Sequence, residues 1–199
     1  EGWNIVGLPL EVEDASYQIL FPNAQLGTLY SFDEIYQSEE NLVPGIGYLL
    51  RLTAEGPVTF TGTPINELII GISEGWNLFT GLSTSLLPED VYAQDIVQSG
   101  TIYGLDEIYY SPELIEPGMG YWVRAVEDGE ITLSSSAPVA KIMVQNHLAG
   151  SNTLEISNGE YSITLYFGKE VADEHKNSYS LPPTFPQMNF DARFADNMR

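Results

Sequence analysis

Pro117-Gly118-Met119-Gly120-Tyr121-Trp122-Val123 repeats, at an offset of 73 residues, the stretch Pro44-Gly45-Ile46-Gly47-Tyr48-Leu49-Leu50. The same offset joins Glu1-Gly2-Trp3-Asn4 to Glu74-Gly75-Trp76-Asn77 and Gly27-Thr28-Leu29-Tyr30 to Gly100-Thr101-Ile102-Tyr103. It also joins Asp33-Glu34-Ile35-Tyr36 to Asp106-Glu107-Ile108-Tyr109, and Arg51 to Arg124. Chance does not hold one offset, without a gap, through that many separate motifs, so the chain carries an internal duplication. The spacing predicts two copies of one fold, superposable through residues 2–51 and 75–124.

Each copy reads as short strands and turns with one short helix. Residues 3–6 and 76–79 are predicted strands. Asp14 is placed to cap a helical turn that Pro22 ends, and Pro88 to open a helix over residues 89–97. Residues 28–32 and 35–36 predict a hairpin turning at Asp33-Glu34. Pro-Gly-x-Gly-Tyr predicts a turn that launches a strand, over residues 48–52 or 121–126. Residues 58–61 and 131–134 alternate apolar and polar at period two and read as closing strands.

The third region differs. Asn158-Gly159 between two apolar-alternating runs signals a type I′ hairpin turn, which pairs Ile156 with Tyr161 and Leu154 with Ile163. Leu181-Pro182-Pro183-Thr184-Phe185-Pro186 and Phe190-Asp191-Ala192-Arg193-Phe194 cannot be a regular central strand at the prolines and read as an extended arm laid across something. The expected fold is mainly β. Two tandem small β-rich modules, each with one short helix, occupy residues 1–62 and 63–136. A β-sandwich-like region with an extended Pro-rich C-terminal arm follows over residues 137–199.

The net charge of −21 over 199 residues is unevenly spread. Residues 1–140 hold 21 Asp and Glu against Arg51 and Arg124; residues 141–199 hold 7 acids and 5 bases. Such a field repels phosphate backbones, which excludes nucleic acid as a partner. Cysteine is absent, which removes disulfides, thiolate metal sites and cysteine nucleophiles. No run of 18 apolar residues predicts a transmembrane segment. The chain opens at Glu1 with neither Met nor a leader, so any signal peptide is expected to be gone or to lie far upstream, and the Arg199 end fits a trypsin-like cut or a trimmed end.

Gly-Trp-Asn opening a module, then Gly-Thr-x-Tyr, then Pro-Gly-x-Gly-Tyr-Trp-Val closing it, resembles a repeat of large secreted surface proteins of the Bacteroidetes and Chlorobi type. Leu165-Tyr166-Phe167-Gly168, Leu181-Pro182-Pro183 and Phe190-Asp191-Ala192-Arg193-Phe194 also resemble segments of such proteins, where they lie upstream of a type IX secretion sorting domain. The resemblance touches nearly the whole chain and implies an extracellular or outer-surface location. About activity it is silent; the tandem duplication, the strand-rich modules and the absence of catalytic groups favour a non-catalytic structural or adhesive role, as spacer, stalk or filament component. Other domains of the parent protein or neighbouring copies of the chain would be the partners. It carries over no catalytic residue.

No recognisable chemistry stands against that expectation. Neither His147 nor His175 lies in a nucleophile motif, and no phosphate loop or Asp-x-Asp-x-Asp-Gly calcium loop is present. No cofactor is expected. Calcium bound by clustered carboxylates is weighed against plain solubility as the reason for the charge. Asp173-Glu174-His175 is a weak metal corner beside Lys176. Asp33-Glu34 and Asp106-Glu107 point apart as turn neighbours, unlike a glycosidase pair facing across a sugar. The alternative function is carbohydrate binding by Tyr103, Tyr109, Tyr110 and Trp122, whose rings would stack on a polysaccharide beside acids that accept hydroxyl protons. Against it stands core packing, which large apolar residues usually serve. Trp122 and Tyr110 are the informative pair, because copy one has Leu49 and Gln37 there.

One strand is expected to be missing. Asn66-Glu67-Leu68-Ile69-Ile70-Gly71-Ile72-Ser73 precedes copy two as a first strand beside residues 76–81, and copy one has no such run before it. Upstream sequence, or the arm of residues 178–199 donated within or between chains, would fill the gap.

Overall fold

The computed structural model of the chain describes residues 1–135, 146–185, 188 and 190–199, without the side chain of Glu174. In chain order its elements are β1 (Gly2–Val6), β2 (Leu10–Glu11), α1 (Tyr17–Leu20), β3 (Tyr30–Asp33), β4 (Ile35–Ser38), β5 (Tyr48–Leu52) and β6 (Thr63–Pro64). Then come β7 (Glu67–Ile72), β8 (Gly75–Thr80), α2 (Pro88–Tyr92), β9 (Gly104–Asp106), β10 (Ile108–Tyr110), β11 (Gly120–Ala125) and β12 (Gly129–Ser134). β13 (Asn152–Ser157), β14 (Ser162–Phe167), α3 (Asp173–Lys176) and a 3₁₀ turn (Asn177–Tyr179) complete them. With 38% strand against 8% helix the fold is mainly β. No helix among the described residues is long and apolar enough to cross a membrane.

The duplication is structural down to single hydrogen bonds. Gly2 and Gly75 take φ of 89° and 95°, and Asn4 and Asn77 each donate a side-chain N–H to that glycine's carbonyl, at 3.0 and 3.1 Å. Thr28 Oγ1 donates to Gln25 O (2.7 Å) and accepts from Arg51 N (3.3 Å); Thr101 Oγ1 donates to Gln98 O (2.6 Å) and accepts from Arg124 N (3.2 Å). Tyr48 Oη accepts from Val43 N at 3.0 Å, and Tyr121 Oη from Glu116 N at 2.9 Å. Each satisfies a backbone group that a turn leaves unpaired. The β3–β4 and β9–β10 hairpins turn at Glu34 and Glu107, both at positive φ (57° and 63°).

The two copies interlock. β1 pairs antiparallel with β5, and β8 with β11. β1, β5, β3 and β4 form one sheet, and the isolated bridges Val6–Met119 and Ile46–Phe79 tie the end of β1 to the turn before β11, and β8 to the turn before β5. Gly7 N donates to Gly118 O at 3.0 Å and Thr80 N to Gly45 O at 3.2 Å, the same bond made twice across a pseudo-twofold axis. This is what the Pro-Gly-x-Gly-Tyr motif does. Its first glycine takes positive φ (90° at Gly45, 82° at Gly118). Its second admits the other copy's backbone: a Cβ on Gly47 would sit 2.7 Å from Phe79 O, and one on Gly120 2.8 Å from Val6 O.

Three apolar clusters follow. One belongs to copy one (Val6, Leu8, Tyr17, Leu29, Leu42, Tyr48, Leu50) and one to copy two (Phe79, Leu82, Val91, Ile102, Ile115, Tyr121, Val123, with Ile70, Ile72, Ile131 and Leu133). The third lies between the copies and takes in Leu181 and Phe185 of the arm.

Several local expectations are corrected. Ser16, not Asp14, occupies the N-cap of α1; Asp14 Oδ1 instead accepts from Ser16 N at 2.9 Å. Helix α2 opens at Pro88 as expected but stops at Tyr92, and Val97, expected within it, instead bridges Ala125. β7 pairs with β12, from Glu67–Ser134 to Ile72–Gly129, rather than lying beside β8. Residues 58–61, the copy-one equivalent of part of β12, form no strand: no described segment offers them the partner that β7 offers β12. The arm does not fill that place as a strand either. Its own bridge joins Ser180 to Met198.

The third region contributes one hairpin, β13–β14, in a register two residues longer than expected: Ile156 faces Ile163 and Leu154 faces Leu165. Asn158 causes the change. Its Oδ1 accepts from Glu160 N (3.0 Å) and Tyr161 N (2.8 Å), which closes a wider loop, and only Gly159 takes positive φ (95°). The start of this region, residues 137–145, and Pro186 of the arm lie outside the described residues.

Candidate functional site: the aromatic cleft between the copies

Strands β1 and β8 each present a half-buried tryptophan, Trp3 and Trp76, at the seam between the copies. Each tilts against a tyrosine of its own copy: Trp3 against Tyr30 (centroids 6.2 Å, 40°) and Trp76 against Tyr103 (6.0 Å, 53°). The β9–β10 hairpin packs by β1 and the β3–β4 hairpin by β8, so each copy's hairpin walls the other copy's tryptophan. Two equivalent recesses result. One, of about 240 Å³, is lined by Gly2, Trp3, Arg51, Leu105 and Glu107, with Phe185 and Met188 of the arm. The other, of about 230 Å³, is lined by Phe32, Glu34, Gly75, Trp76 and Asn77, with Pro183 of the arm.

The arm crosses the seam. Phe185 meets Trp3 edge-on (4.5 Å, 67°) and Tyr36 likewise (5.8 Å, 83°). Tyr109, the copy-two equivalent of Tyr36, donates its hydroxyl to Pro183 O at 2.9 Å. Ser178 Oγ accepts from Gln98 Nε2 at 2.8 Å, and the Arg199 guanidinium lies 5.5 Å over the Tyr103 ring. Burial pushes the Tyr36 hydroxyl up to about 12. It raises Tyr109 as well, with neighbouring Tyr36 adding to the shift and the Trp122 side chain and Arg193 opposing it.

The four residues singled out from sequence fall in one neighbourhood with different roles. Trp122 is fully buried, edge-on to Phe32 of copy one (4.9 Å, 76°) and to Trp76 (6.3 Å, 86°). Tyr103 is buried beneath Arg199 and exchanges two backbone bonds with Trp122, at 3.1 and 2.8 Å. Tyr109 is half-buried on the arm. Tyr110 alone is exposed, at 37%, and its ring covers Gly104 across the hairpin; a Cβ there would fall 2.5 Å from Tyr110 Cζ. Copy one has Ser31 opposite Gln37 at that place. A ring that shields a bare strand glycine explains why copy two has Tyr110. Stacking on a sugar would need open ring faces, and Trp122 and Tyr103 have none.

Sequence reading missed Tyr36, Phe185 and the tryptophans as partners of one another. The repeat offset contained half of that signal, since Trp3, Tyr30 and Tyr36 align with Trp76, Tyr103 and Tyr109. Asp173 pairs with Lys176 (2.5 Å), and His175 stacks on His147 (4.0 Å, 18°), so the described side chains of the weak metal corner are turned to other partners. Among the described residues no three His, Asp or Glu side chains gather as a metal group.

Comparison with protein-family models, with curated proteins and with solved structures gives no match.

Proposed function

We propose that the chain is a non-catalytic structural or adhesive module of a secreted bacterial surface protein, a stiff double unit used as spacer, stalk or filament component. The observation that supports this reading is the reciprocal interlock. The glycine-rich turn of each repeat accepts a backbone bond from the other repeat, Gly7 N to Gly118 O and Thr80 N to Gly45 O. A duplicated unit closed in that way resists bending between its halves, which suits a spacer. The sequence resemblance to secreted repeat proteins supports an extracellular setting.

Two measurements test the reading. Antibody raised against the module should label intact cells of the source organism; label only after lysis would overturn the surface location. Under force, residues 1–134 should unfold in one step. Two separate steps, each the length of one copy, would show that the copies are independent beads.

A further inference from the structure

We propose that the cleft between the copies is a docking site for an extended Pro-Pro-Thr-Phe segment, and that its partner in trans is the arm of a second copy of this chain. The proposal rests on the cleft and the arm, not on the surface-protein reading.

The arm behaves as a ligand in three respects. First, its chemistry fits an aromatic groove. Pro182 and Pro183 fix an extended backbone that loses little entropy on docking, and such segments are held by rings and by hydrogen bonds to proline carbonyls. The cleft supplies both: Trp3 and Tyr36 hold Phe185, and the Tyr109 hydroxyl holds Pro183 O. Leu181 and Phe185 are buried there, while Thr184 between them faces solvent.

Second, the cleft seats the Phe185 ring on one side only, although Pro183 also borders the recess on the other. Across the axis, Trp122 of copy two meets Phe32 of copy one edge-on at 4.9 Å. The equivalent positions on the other side carry Leu49 and Leu105, and the space left by these smaller side chains is where Phe185 lies, beside Leu105 and Trp3. The repeat alone would give two equal seats. The Leu-for-Trp and Leu-for-Phe differences give the Phe185 ring its place on one of them.

Third, the arm is folded back on itself. Ser180 bridges Met198, Leu181 N donates to Asn197 O (2.8 Å), and Arg199 N donates to Tyr179 O (3.1 Å). Arg193 grips Asp191 through two bonds, at 2.7 and 2.8 Å, and donates to Pro182 O at 2.6 Å. Residues 179–182 of the arm are therefore braced against residues 191–199 and can leave and re-enter a cleft together. Residues 168–172, between β14 and α3, have no regular secondary structure and begin at Gly168 with φ of 77°. Exchange of such an element makes the same contacts between chains that it makes within one, so it costs little beyond the hinge.

Complementation of two defective chains tests this. The Phe185→Ala chain keeps an intact cleft but loses its anchor. The Trp3→Ala chain keeps an intact arm but loses the wall that Phe185 meets. Mixed at equal concentration, they should form a one-to-one complex in sedimentation velocity. It should be at least about tenfold tighter than either variant's self-association. An unlabelled peptide of residues 178–199 should dissolve the complex, and the same peptide carrying Phe185→Ala should not. Two folded variants that stay monomeric when mixed would overturn the proposal, as would a complex indifferent to both peptides. Should Trp3→Ala not fold, Tyr36→Ala takes its place. Fluorescein-labelled peptide must then also bind the Phe185→Ala chain more tightly than the parent chain; equal binding overturns the proposal.

Discussion

Copy one and copy two share their turns, hydrogen bonds and seam, yet differ at the places where a true twofold object would fail. On the axis, Gly7 faces Thr80, its own equivalent. A Cβ on Gly7 would fall 2.2 Å from Thr80 Oγ1. Two threonines cannot both occupy that point, and Thr80 uses the space to donate its hydroxyl to Met119 O at 2.9 Å. At the seam, Trp122 meets Phe32 on one side, while on the other the smaller Leu49 and Leu105 pack with Phe185. At the outer edge, copy two has the β7–β12 pair and copy one has no described equivalent. The difference shows what duplication leaves unsolved: the axis needs one small residue, and an unequal seam creates a single seat for the Phe185 ring.

The largest effect is expected at the Trp122 side of the seam. Trp122→Ala should cost about 3–5 kcal/mol, since it removes a fully buried indole that holds Phe32 and Trp76. Leu49→Trp puts the same ring on the other side. It should overpack Phe185 and cost about 1–3 kcal/mol, with release of the arm. Urea unfolding gives both numbers, and limited proteolysis after Arg193 reports the arm. If Leu49→Trp were neutral with the arm still protected, the two sides would be equally roomy and the comparison would break.

A smaller effect sharpens the axis. Gly7→Thr should destabilise by about 1–3 kcal/mol through collision with Thr80. Adding Thr80→Gly should restore most of that loss, because it only exchanges which copy carries the hydroxyl. The double-mutant cycle measures the coupling directly. Additive losses would mean that the two positions do not meet.

How much of this was legible beforehand follows from the range of each interaction. The duplication, the strands at Trp3 and Trp76, the hairpins turning at Glu34 and Glu107, and the opening of α2 at Pro88 are local matters of spacing and backbone preference. The mutual embrace was not legible, because Gly47 and Gly120 look like turn glycines until the other copy's backbone is beside them. Trp122 looked available for binding because copy one has Leu49 there; the reason for the change lay across the seam, in Phe32. The hairpin register failed on one side chain, Asn158, whose carboxamide accepts two backbone N–H bonds and lengthens the loop. Arm placement failed because a proline-rich segment carries no periodicity that names its partner.

Alkaline pH probes the seam through its hydroxyls. The Tyr36 hydroxyl is raised from 10.0 to about 12 by burial, and its equivalent Tyr109 is raised too. For an acid whose folded pKa exceeds its unfolded one, the unfolded chain loses the proton first. The stability tied to these groups is whole below pH 10 and is lost as pH climbs towards 12. Melting temperature should therefore fall across that window, together with rising phenolate absorbance. Phe185→Ala, which opens the Tyr36 side to water, should move its ionisation back towards 10 and flatten the fall. An unchanged alkaline profile in that variant would show that Phe185 does not shield Tyr36.

Salt gives the smallest expected effect and separates the duplicated body from its arm. Residues 1–135 carry 21 acids against Arg51 and Arg124, whereas residues 178–199 balance Asp191 and Asp196 with Arg193 and Arg199. Repulsion within the body falls once the screening length shrinks to about 10 Å at 0.1 M salt, so its melting temperature should rise by a few degrees. Docking of the neutral, apolar arm should change little, and the affinity of the arm peptide for the Phe185→Ala chain should move by less than about twofold over the same range. Calcium at matched ionic strength distinguishes ion sites from screening. A rise beyond that given by sodium chloride, abolished by EDTA, would assign the charge of the body to specific cation binding. Equal responses assign it to repulsion among solvated carboxylates, and no response to either would remove repulsion as a term in the stability of this fold.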